Sequence, residues 1–91
     1  MNLQQLVREL HWLEWQMRKF EDKYGLRSSD FYRAMESGQL AEFDDIEHPA
    51  FQEFLEWHGL YKLWLKREQA YRDNLRQQVN IPQLLQTAVA A

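Results

Sequence analysis

The residues of this sequence best suited to holding a metal ion are His11, His48 and His58, because neutral imidazole is a common ligand. His11 and Glu14 would lie one turn apart on a helix. There is no His-Glu-x-x-His pair, however, and no repeated Glu-x-x-His of the kind that builds carboxylate-bridged metal bundles. The histidines are therefore expected to be structural, and no metal or cofactor is expected. Ser28, Ser29 and Ser37 sit where helices should begin or end, and Gly25, Gly38 and Gly59 do not form a phosphate-binding loop. No nucleophile stands beside a base, so the chain reads as a non-enzyme.

The remaining chemistry is that of surfaces. Trp12 and Trp15 fall on the side of their helix away from its leucine stripe, so that helix has two apolar faces. The plainer reading has a short helix or the tail covering them; the functional reading is a protein-binding surface, because Trp is enriched at interfaces and their hot spots. Lys62, Lys66, Arg67, Arg72 and Arg76 could touch phosphates, but Glu68 and Asp73 are interleaved and a solvated face is the simpler reading. Asp44, Asp45 and Glu47 could dock a basic partner or merely form a surface loop.

These residues are positioned by two long helices. Leu3, Leu6, Leu10, Leu13, Met17, Phe20 and Tyr24 recur at alternating steps of three and four, which predicts a helix over 3–24, stopped by Gly25. A short helix over 29–37 should follow, with Arg27-Ser28-Ser29-Asp30 supplying candidate N-caps. Residues 38–49, GQLAEFDDIEHP, read as an acidic loop anchored by Leu40, Phe43 and Ile46. The longest helix should span 49–79, with Pro49 in its first turn and Phe54, Trp57, Tyr61, Trp64, Glu68, Tyr71 and Leu75 along one face. Its first half is apolar nearly all round and is expected to be buried on several sides. Gly59 costs about 1 kcal/mol inside a helix, an expense expected to be offset by close approach of another helix or of the Trp57 and Trp64 rings. A hinge or docking notch is the alternative.

The expected fold is all-α: an antiparallel hairpin of two long helices with a short helix between them, over 1–79. The tail, 80–91, is either a short helix or disordered. The longest helix should overhang the first, leaving Tyr71, Leu75 and Val79 as an assembly seam for a second copy, a partner, or the tail folding back.

With 91 residues, 45% of them hydrophobic, the chain is the size of one small domain, whose core oligomerisation could complete; a dimer is the simplest form. The absence of cysteine fits a reducing cytoplasm. No signal-peptide pattern and no membrane span are evident, so a soluble, cytoplasmic protein is expected. A net charge of −3 provides no global attraction to nucleic acid, although a local basic patch is compatible with it.

The stretches FEDKYGLRSSDFYRAMESGQL and FQEFLEWHGLYKLWL, within roughly residues 10–75, resemble small prokaryotic all-helical proteins of two-gene toxin-antitoxin-like modules. That resemblance implies an antitoxin-like role, binding a cognate protein and masking its active surface, and carries over no catalytic residue. The leading expectation is thus a non-enzymatic helical protein-interaction module. A nucleic-acid-binding regulator, a metal or small-ligand bundle and a self-assembling structural protein remain as alternatives.

Overall fold

The computed structural model describes residues 1–78 and 80–90, and its order is α1 (Leu3–Tyr24), α2 (Ser28–Glu36), a 3-10 turn (Ala41–Phe43), α3 (Phe51–Gln78) and α4 (Ile81–Ala90). Among the described residues there is no strand. The molecule is an all-α hairpin in which α1 and α3 pack along each other and α2 bridges one end.

Helix α1 begins at a capping box. Asn2 Oδ1 accepts from the Gln5 amide at 2.8 Å while Gln5 Oε1 accepts from the Asn2 amide at 3.0 Å, so two otherwise unpaired donors are satisfied. It ends at Gly25, whose φ of 69° is left-handed and favours glycine. Between these ends Leu6, Leu10, Leu13, Met17 and Phe20 are all buried, as their spacing predicts. Polar pairs run in reverse order along α3: Lys23 with Glu53, Glu14 with Trp64, Glu9 with Arg67, and the Met1 carbonyl with Asn74. That order establishes the antiparallel register.

Trp57 is the centre of the core and is fully buried. Its ring stacks with Phe31 of α2 at 3.9 Å between centroids, and with Phe20 and Tyr24 of α1 at 5.7 and 5.9 Å. An indole buried this deeply needs an acceptor for its N–H. Ser28 Oγ accepts it at 2.8 Å and donates in turn to Glu21 Oε2, also at 2.8 Å. The same carboxylate oxygen accepts from the Ser28 amide at 2.8 Å. Ser28 therefore does not cap α2, which begins one residue earlier than expected; the cap is delivered from α1 by Glu21.

Several other expectations are corrected. Pro49 lies in a turn before α3 rather than in its first helical turn, where His48 Nδ1 accepts from the Ala50 amide at 3.0 Å. The first half of α3 is not buried on several sides. Only Trp57 is buried there, and Leu55 and Leu65 are exposed, because α1 and α2 leave the outer side of α3 uncovered. Ile46 is 75% exposed and anchors nothing, whereas Leu40 and Phe43 are half-buried. Gly59 faces open space: a β-carbon there would meet nothing within 4 Å, so no close approach explains it.

The overhang is also shorter than expected. The 28 residues of α3 rise about 42 Å against about 33 Å for the 22 of α1. Because Met1 reaches Asn74, Tyr71 lies alongside α1 rather than beyond it. The tail is helical: Asn80 Oδ1 caps the Gln83 amide at 3.1 Å, Pro82 sits in the first turn, and every described side chain from 80 to 90 is exposed.

Candidate protein-binding face

The outer face of α1 carries Trp12 and Trp15, which lie outside the buried core. Trp12 is 54% and Trp15 64% exposed, and neither α2 nor α4 covers them. Both project opposite the buried Leu6, Leu10, Leu13, Met17 and Phe20, since three-residue spacing keeps them on one side of the helix. They share this side with Arg8, His11 and Lys19, all exposed.

The acidic residues of α1 are sorted away from that face. Glu9 pairs with Arg67 of α3, Glu14 accepts from Trp64 Nε1 at 2.9 Å, and Glu21 holds the start of α2. Asp22 is the one carboxylate left on the tryptophan side. Among the described residues Arg8, Arg18 and Lys19 form no ion pair. Arg18 sits at the edge of the face, in a polar groove of about 350 Å³ shared with Glu14, Glu21 and Arg27.

The other expected contact residues lie elsewhere. Tyr71 and Leu75 are half-buried and line an open, mostly apolar groove of about 490 Å³ with Leu3 and Val7 of α1 and Leu84 and Leu85 of α4, and Arg8 and His11 at the margin of the tryptophan face also border it. The tail thus folds back beside the seam without closing over it. Val79, the third expected seam residue, lies outside the described residues.

One end of the hairpin carries a cluster that sequence spacing did not reveal. Glu53 of α3 accepts from Lys23 Nζ at 2.7 Å and from the Tyr24 hydroxyl. These hydrogen bonds, from Lys23 first and Tyr24 second, hold the Glu53 carboxyl below its ordinary pKa. The hydrogen bond with Glu53 likewise raises Tyr24, with burial adding to it, and raises Lys23. All three groups bridge solvent-exposed edges of the helices, which makes this a clasp on the hairpin.

The histidines do not converge. His11 is on the outer face, His48 caps its own turn, and His58 contacts Glu36 at 2.8 Å while stacking with Tyr32. Among the described residues no group of three or more His, Cys, Asp or Glu side chains is placed to hold a metal ion. Of the basic run on α3, Arg67 is paired with Glu9 and Arg72 with Glu68, so its charge is partly cancelled. Among the described residues no helix is long and apolar enough to cross a membrane. No protein family, curated protein or solved structure matches the chain.

Proposed function

We propose that this chain is a non-enzymatic, cytoplasmic protein-interaction module that binds a partner protein through the outer face of α1, as an antitoxin binds and masks its cognate protein. The observation that carries this reading is the exposure of Trp12 and Trp15 on a helix whose opposite face already completes the hairpin core. Two largely exposed indoles present a large apolar area to solvent, and residues of this type dominate interface energetics. Truncating both to Ala should leave the thermal midpoint within a few degrees of the wild type, while each truncation costs roughly 2 kcal/mol or more of binding. Loss of stability with retained partner binding in a pull-down would make them ordinary core residues and remove this reading.

Self-assembly as a dimer is a second reading, supported by a different observation. Helix α4 has no charged side chain, is exposed throughout, and faces the open groove containing Tyr71 and Leu75. The uncharged α4 of a second copy, filling that groove, would bury apolar surface. Sedimentation at micromolar concentration separates a dimer from a compact monomer, and a monomer would exclude this reading.

A further inference from the structure

The face that carries Trp12 and Trp15 has a charge opposite to that of the molecule. The chain is net −3, yet on this side of α1 Arg8 and Lys19 bracket the two indoles, with His11 alongside, Arg18 at the edge and Asp22 as the one opposing carboxylate. Helical register sets this polarity, since it places Glu9, Glu14 and Glu21 on the flanks of α1, where Arg67, Trp64 and Ser28 engage them. The cations of the outer face are left without ion-pair partners among the described residues.

Resting on the protein-binding reading above, we infer that the partner presents an acidic polypeptide segment to this face, with an apolar side chain seated on the Trp12–Trp15 pair and carboxylates meeting Arg8 and Lys19. Arg8 and Lys19 are eleven positions apart, a rise of about 16 Å along the helix. An extended chain covers that distance in about five residues. The matching segment therefore carries two acidic residues about five positions apart with an apolar residue between them. Such a short, finite charge pattern fits a polypeptide better than a nucleic acid, whose binding grows with the number of phosphates neutralised and is opposed by the net negative charge of the rest of the chain. Rim charges of this kind act by steering encounter and setting register around an aromatic centre.

The test is selection of a phage-displayed random peptide library on the immobilised full chain, followed by affinity measurement of the enriched peptides on three proteins. These are the wild type, Trp12→Ala/Trp15→Ala and Arg8→Glu/Lys19→Glu, each first shown to be folded by its helical circular dichroism. Arg8→Gln/Lys19→Gln serves if charge reversal disturbs the fold. The expected result is enrichment of peptides with the acidic-apolar-acidic spacing, bound at least about tenfold more weakly by either variant. Peptides that need the tryptophans but carry no acidic excess and ignore the charge variant overturn this inference and leave the protein-binding reading standing. Peptides indifferent to both variants, or no enrichment at all, overturn both. Tryptophan-dependent binding of a thymidine oligonucleotide or of phosphatidylglycerol vesicles, without acidic peptides, also overturns the inference.

Discussion

Replacing Ser28 tests the core most directly, because two accounts of the same residue predict opposite results. As an ordinary N-cap, Ser28 could become Asp at no cost, since Asp caps helices as well as Ser. In the folded chain, however, Ser28 is 4% exposed, accepts the N–H of the fully buried Trp57 and donates to Glu21. Ser28→Ala removes the acceptor and leaves a buried indole N–H unpaired, a loss of about 1 to 3 kcal/mol. For a domain of this size each 1 kcal/mol lowers the thermal midpoint by about 4 to 8 °C, so a drop of at least several degrees is expected. Ser28→Asp should be worse, as it sets a second carboxylate directly against the Glu21 carboxylate at a nearly buried position. Thermal unfolding followed by circular dichroism measures both. A midpoint for Ser28→Asp equal to or above the wild type would refute the Glu21–Ser28–Trp57 chain and restore the simple cap. A cycle with Trp57→Phe then isolates the coupling, because a phenyl ring has no N–H to strand.

Gly59→Ala should stabilise the chain by about 1 kcal/mol, since the position is helical and the added methyl meets nothing; a lower urea midpoint would show that the outer side of α3 is not free. Leu13→Ala should cost about 2 to 5 kcal/mol, because Leu13 is fully buried between the long helices, and an unchanged midpoint would contradict the hairpin packing. The Glu53 clasp should produce two pH limits. Glu53 titrates below its ordinary 4.5 in the folded chain, so its contribution is present above that value and disappears as pH falls through the lowered folded one. Tyr24 and Lys23 titrate above their ordinary 10.0 and 10.5, so theirs is present below those values and disappears as pH rises through the raised ones. Unfolding of Glu53→Gln across pH should show a shallower acid limb than the wild type, and identical limbs would remove Glu53 from the account.

Helical periodicity alone determined the hairpin. The three-and-four spacing from Leu3 to Tyr24, ended by Gly25, specified both the length of α1 and its buried side, because a stripe of that period has a single way to leave water. The same counting put Trp12 and Trp15 on the opposite side, where they are exposed. What periodicity could not supply was the identity of partners far apart in the chain. Ser28 has the composition of a cap, and only the meeting of three helices turned it into the acceptor for Trp57. Gly59 and Leu55 looked internal because the first half of α3 is apolar nearly all round, yet a hairpin with one bridging helix has too few elements to cover every side. The charge of the outer face of α1 followed from the same counting, which places Arg8, His11, Lys19 and Asp22 with the tryptophans and Glu9, Glu14 and Glu21 on the flanks. Only the tertiary structure decided the partners of those glutamates, Arg67, Trp64 and Ser28, because each comes from another helix.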